Sequence, residues 1–332
     1  KSVAMVAAWL VASDHRWLTC QTATRTVDRM SRAKWYQWKN YSGFAVAGAA
    51  PFERPVNPMM HIDRAVWLAG QLEAPRWGSV QGYDGCGMSG GILHHIAVGR
   101  DGSQGSFWPL IRRVFDMLED TSDRVAVEPI RRRLQVHDMQ LTRDGKLRTV
   151  RGLLVSGRGI RELFGDPEGK VPKRGHAAED ARWWAESFAS LLSLPRTFKA
   201  QSDYAALWLA RGNSAAELAV YQRFSKMVRL DTMLTIPPLV LPHSVELAMC
   251  VYHAFSVNAP APAAQCLEKV ANETDPGAFA KKLIRGLGTK KFGRWQDEPG
   301  DGRSRYDKTR RAAVKSGLWD SALVDDMMPT DL

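Results

Sequence analysis

Residues 73–91 read Glu73-Ala74-Pro75-Arg76-Trp77-Gly78-Ser79-Val80-Gln81-Gly82-Tyr83-Asp84-Gly85-Cys86-Gly87-Met88-Ser89-Gly90-Gly91. The stretch opens on one carboxylate and carries a second eleven positions later in a glycine-rich turn. Two acids so placed can flank a scissile bond, one as proton donor and the other as base or nucleophile. Working backward, Ile62, Val66 and Ala69 step by four and three, and Glu73 follows four later. That spacing predicts a helix from about Pro58 whose apolar stripe includes Glu73. Pro75 disfavours helical geometry at Ala74, so the helix is expected to end at Glu73 or Ala74. A carboxyl at a helix C-terminus beside an aromatic such as Trp77 has burial and the dipole favouring its protonated form, as a general acid requires.

Working forward, Tyr83-Asp84-Gly85-Cys86-Gly87 reads as a tight turn, since alternate glycines supply positive φ and leave room beside the backbone. Asp84 at its tip is expected to be wet and ionised. Ser89 points from the returning strand and is placed to hold a water or a sugar hydroxyl. Each feature has a plainer reading: inward glutamates at helix ends also tie down neighbouring loops, and Asp-Gly is an ordinary turn.

The stretch from Glu73 to Leu93 resembles the helix-then-hairpin core of the lysozyme-like superfamily, especially phage and bacterial muramidases and the related chitosanases. The resemblance covers about a tenth of the chain and implies a mainly α (α+β) fold, with a helical lobe and a small β-hairpin lobe around a cleft. It implies Glu73 as the acid, Asp84 as the hairpin carboxylate and Ser89 as the assisting hydroxyl; by position in the chain Ser89 or Asp101 could serve as partner in place of Asp84. It further implies Tyr83, Trp77, His94 and Asn258 as sugar contacts, Asn258 through an Asn-x-Pro turn closing an apolar helix. His94 stands where several of these proteins carry Gln. The implied activity is cleavage of the β-1,4 glycan strand of peptidoglycan, without a cofactor. The setting would be the periplasm or cell wall, for a phage lysin, an injected antibacterial toxin with an immunity protein as partner, or a wall-remodelling enzyme.

Composition narrows the rivals. The 332 residues carry 46 basic and 35 acidic side chains, a net +11, which draws the chain to polyanions. The charge is dispersed in clusters such as Arg131-Arg132-Arg133, Lys281-Lys282 and Arg310-Arg311, expected on solvated helix faces. No nucleic-acid-binding signature accompanies it, so no specific nucleic acid is expected. Of the twelve tryptophans, Trp183 and Trp184 are adjacent and cannot share one helix face, so at least one belongs to a core. Cys20, Cys86, Cys250 and Cys266 lack zinc spacing, so no metal is expected. Cys250 reads as a core thiol. Cys86, with His94 and His95 downstream, supports the main enzymatic rival, a cysteine peptidase or amidase acting on stem peptides. The non-enzymatic rival is a glycan-binding module.

No apolar run is long enough to span a membrane, and Lys1–Ser13 mimics a signal peptide only faintly. The missing initiator Met is expected of a piece of a longer protein. Three regions are expected: 1–57, an N-terminal helical segment leading through a loop at 41–51; 58–160, the catalytic helix, the hairpin lobe and a second hairpin at Asp144-Gly145; and 176–332, a helical lobe completing the cleft. Helices are expected at 107–119, 177–194, 202–211, 215–233, 244–257 and 273–286, with a long loop at 157–175 and a polar surface tail at 290–311.

Overall fold

The computed structural model describes residues 34–38, 41–46, 51–52, 61–74, 76–82, 86–99, 101–165, 176–227, 239–289 and 304–330. The fold is mainly α, with small antiparallel sheets. Strands β1 (Lys34–Trp38) and β2 (Tyr41–Val46) begin a five-stranded sheet, continued by β3 (Val80–Gln81), β4 (Ser89–Gly90) and β5 (His95–Ile96) in sequence order. Helix α1 (His61–Glu73) lies between β2 and β3 in the chain. The helix and loop expected over residues 34–46 are therefore strands. Lys34–Trp38 holds three aromatic residues in five, and aromatics favour extended backbone over helix. Residues 1–33 lie outside the described residues.

Helix α1 buries Ile62, Ala65, Val66 and Ala69, and its last helical bond runs from the Ala74 amide to the Gly70 carbonyl at 2.8 Å. It ends at Glu73, where Pro75 requires. After the sheet come α2 (Phe107–Leu118), a 3₁₀ turn (Ser122–Ala126) and α3 (Glu128–Val136). The hairpin β6 (Met139–Leu141) and β7 (Leu147–Thr149) turns at Asp144-Gly145 as the sequence predicts, with Gly145 at φ 72°. Next is α4 (Gly157–Leu163), a short helix in what reads as loop. Ser156 caps it by accepting from the Gly159 amide, a start signal hidden among the glycines.

Helices α5 (His176–Leu192) and α6 (Phe198–Phe224) follow. The two helices expected over 202–233 are the single α6: one glycine costs a helix interior only about 1 kcal/mol, which packing along its length offsets. Beyond β8 (Lys226–Met227) and β9 (Leu239–Val240) come α7 (His243–Ser256), α8 (Pro260–Lys269), α9 (Pro276–Thr289), α10 (Arg305–Ser316) and α11 (Ser321–Met327). The tail expected on the surface over 290–311 is part core. Tyr306 and Thr309 of α10 are buried, while Trp295 lies outside the described residues.

Two apolar cores result. One gathers α1, α7, α9, α10 and α11; the other gathers the sheet with α2, α3, α4 and α5. Helix α6 joins them, giving Ala200 and Tyr204 to the second and Ala205, Leu209, Val220 and Phe224 to the first. Trp184 is fully buried in the second core, while Trp183 takes the Arg133 guanidinium 4.3 Å above its ring. Every residue of α7 from Val245 to Ser256 is buried, so it is a central helix without a wet face. Its polar side chains therefore need partners. Glu246 accepts from Arg64 of α1 at 2.7 Å, and His253 meets Glu217 of α6 at 2.5 Å. Among the described residues no helix is long and apolar enough to cross a membrane.

Candidate functional site

Glu73 is the last residue of α1, and its side chain is 12% exposed. Its Oε1 accepts the Asn258 amide Nδ2 at 2.7 Å and the Arg305 guanidinium at 2.5 Å. Asn258 lies 185 residues away, just beyond α7, and Arg305 lies 232 residues away in the first turn of α10. Among the described residues Oε2 has no protein partner.

The arrangement follows from how the helices end. The Asn258 amide turns back to Phe255 O at 3.3 Å, which leaves the Ala254 carbonyl without a backbone donor. Arg305 fills that vacancy, Nε reaching Ala254 O at 3.2 Å and a terminal nitrogen contacting the same oxygen. Two helix C-termini and a carboxylate thus meet at one point, three sources of negative potential to which a guanidinium is the natural complement. The cation sits at the start of its own helix, where the dipole disfavours it. The Ser304 cap, which accepts from the Asp307 amide, and the Glu73 pair offset this. Arg305 escapes sequence reasoning; a cation directly behind a Ser-x-x-Asp cap is the one signal that flags it.

The surroundings of Glu73 differ from those expected. Trp77 does not flank the carboxyl as an open sugar platform: it is buried, stacked on Phe198 at 4.2 Å and edge-on to Phe52 at 4.7 Å. Gly78, at φ 76°, turns the chain so closely over α5 that a Cβ there would lie 2.0 Å from Ser193 Oγ, and the indole is carried inward with it. Tyr83 and Asp84 lie outside the described residues. Ser89 is fully buried in β4, and its Oγ has no partner among the described residues. Substrate therefore does not meet that hydroxyl at the surface. His94 is half-buried in the turn before β5 with φ 47°, a left-handed conformation uncommon for residues other than glycine. Asp101 is exposed and accepts from the Ser103 hydroxyl at 2.7 Å and its amide at 3.0 Å, bonds that hold its carboxyl below the usual range.

His95 of β5, which the sequence offers only as a histidine downstream of Cys86, sits in a buried polar group. His95 Nδ1 meets Ser106 Oγ at 3.2 Å, and its ring packs on Tyr204 and Trp208 at 4.8 and 5.7 Å. Burial, then the neighbouring His94 charge, pushes its pKa down to about 3. Its Nε2 and the Oε1 of buried Gln201 have no partner among the described residues. Both side chains flank Gly91, where a Cβ would stand 3.6 Å from Gln201 Oε1 and 3.9 Å from His95 Cδ2.

Among the described residues the thiols of Cys86, Cys250 and Cys266 are buried. Cys86 is buried and donates to the Met88 carbonyl at 3.4 Å, back into its own loop. Burial, then the nearby Glu246 charge, holds the Cys250 thiol well above its ordinary range. No group of three or more His, Cys, Asp or Glu able to hold a metal ion occurs among the described residues. Of the residues the sequence nominates, the structure brings Glu73 and Asn258 together and adds Arg305 to them. No family model, curated protein or solved structure matches the chain, so the site's own geometry carries the functional argument.

Proposed function

We propose that the chain is a glycoside hydrolase that cleaves the β-1,4 glycan strand of peptidoglycan, working in the periplasm or cell wall. The observation that carries this reading is the Glu73 carboxylate at the end of α1, held on Oε1 by Asn258 and Arg305 with Oε2 left without a protein partner among the described residues. A carboxyl held by one oxygen presents the other at a fixed position, which is what proton transfer to a glycosidic oxygen requires. In the reaction Oε2 delivers its proton to the leaving sugar oxygen as the C–O bond breaks. Water completes the cleavage at the anomeric carbon, and a second carboxylate, for which Asp84 is the candidate, deprotonates it or first attacks that carbon itself. The net charge of +11 favours residence on an anionic wall.

A second reading, a glycan-binding module without chemistry, is favoured by the Arg305 contact, since a guanidinium on Oε1 suits a carboxylate whose task is to join helix ends. Digestion of purified peptidoglycan separates the two. New reducing ends that disappear in Glu73→Gln support hydrolysis. Tight binding without new reducing ends supports the module. Cleavage of the stem peptide, lost on Cys86→Ala, would mark an amidase instead.

A further inference from the structure

Among the described residues, exposed aliphatic side chains concentrate at the turn following β7. Val150, Leu153 and Leu154 are 58%, 68% and 58% exposed, and Val136 at the end of α3 is 82% exposed. They belong to one corner: the Val150 amide donates to Asp138 O at 3.1 Å, tying the turn to the residues just past Val136. The turn is closed by bonds from Gly152 N to Thr149 O and from Thr149 N to Leu153 O, each 2.8 Å. Gly152 has φ +87°, and no atom lies within 4 Å of where its Cβ would stand, so the turn is open at that point.

The sequence on either side of this tip is basic. Residues 131–158 hold eight Arg and Lys against two Asp. Arg148 pairs with Asp144, Arg158 with Glu162, Arg131 with Glu119 and Arg133 with Asp180. Arg132, Arg143, Lys146 and Arg151 have no acidic partner among the described residues; against them stands Asp138, likewise without a basic partner there. A soluble polyanion would engage the arginines but has no use for four exposed aliphatic side chains at one corner. The headgroup boundary of an anionic bilayer takes both, burying aliphatic side chains while its phosphates meet the arginines.

We propose that the corner formed by Val136 and residues 149–154 docks on anionic phospholipid membranes, with Arg132 and Arg151 engaging headgroups. The proposal is independent of the chemistry assigned to Glu73. Its test is co-sedimentation of the whole chain with vesicles of phosphatidylcholine alone and of an equal mixture with phosphatidylglycerol. The wild type is expected to sediment with the mixed vesicles and not with the neutral ones. Paired Leu153→Ser and Leu154→Ser should weaken partitioning about tenfold or more, since two inserted aliphatics are lost. Paired Arg132→Glu and Arg151→Glu should weaken it by at least about twentyfold, as each cation near the surface is worth roughly a fivefold change. All four positions are exposed, so unchanged melting temperatures keep the comparison clean. Wild type left in the supernatant with mixed vesicles, or bound equally to neutral ones, overturns the proposal. So does a leucine variant that binds as the wild type does, because the arginines would then be contacting any polyanion.

Discussion

The guanidinium of Arg305 satisfies at once the Ala254 carbonyl near the end of α7 and the carboxylate closing α1. Its removal leaves Ala254 O without a donor and Glu73 with Asn258 alone. Arg305→Ala is therefore expected to lower stability by about 1–3 kcal/mol, the cost of leaving largely buried polar groups unpaired. Glycan cleavage should fall with it, and Arg305→Lys should recover part of the stability; urea unfolding and an activity assay on the same preparations check both. An Arg305→Ala protein as stable as the wild type would mean that the pair contributes nothing. A second expectation at this scale concerns His95, whose pKa is about 3 in the folded chain against an ordinary 6.5. Above pH 6.5 folded and unfolded forms are both neutral there, so burying the ring carries no protonation penalty. As pH falls toward 3 the unfolded chain takes up a proton that the folded chain refuses, and stability drops by up to about 1.4 kcal/mol per pH unit. In His95→Gln that component is absent, so the stability gap between wild type and variant should narrow on acidification, as followed by denaturant unfolding. A gap that stays constant with pH would show that His95 is not held neutral.

At the scale of elements, two glycines with the same backbone hand give a controlled comparison. Gly78 at φ 76° would place a Cβ 2.0 Å from Ser193 Oγ and 2.6 Å from Ala189 O, whereas at Gly152, φ +87°, no atom lies within 4 Å. Gly152→Ala should cost only the left-handed backbone penalty, about 1–2 kcal/mol, and Gly78→Ala that plus about 1–3 kcal/mol of overpacking against α5. Equal unfolding midpoints for the two would contradict the packing of the post-α1 loop onto α5. The end of α1, the helix at 107–118 and the hairpin at 139–149 were legible in the sequence because periodicity, Pro75 and Asp-Gly act locally. The strands at 34–46 were less so, although β1 and β2 pair with each other locally: mixed apolar and basic positions there imitate helical spacing, and only β2 has a distant partner, in β3. Helix α6 was misread at Gly212-Asn213-Ser214, where packing along the helix overrides a local breaker. Within the site the inward face of Glu73 was legible from spacing. Trp77 was misplaced because the direction of a loop side chain depends on the positive φ of Gly78. Arg305 was out of reach, its role arising only when two helix ends meet.

For the whole molecule, the C-terminal helices complete both the core and the site. Tyr306, Ala313, Trp319, Val324, Met327 and Met328 belong to the same apolar cluster as α1 and α7, and Arg305 reaches Glu73 from the same segment. A chain ending at Thr289 should lose cooperative unfolding and expose apolar surface to a fluorescent dye; a sharp, wild-type-like transition would show that the segment is an accessory. If the net +11 helps hold the protein on an anionic wall, turnover on whole peptidoglycan should decline with added salt while turnover on a short neutral fragment does not. The central claim, that Glu73 is the proton donor of a glycan-cleaving site, is tested most directly by mass spectrometry of purified peptidoglycan after incubation with wild type and with Glu73→Gln, their folding matched by circular dichroism. Wild type should yield sugar-chain fragments with new reducing ends, and the variant none. Glycan cleavage that persists in a folded Glu73→Gln protein would contradict it.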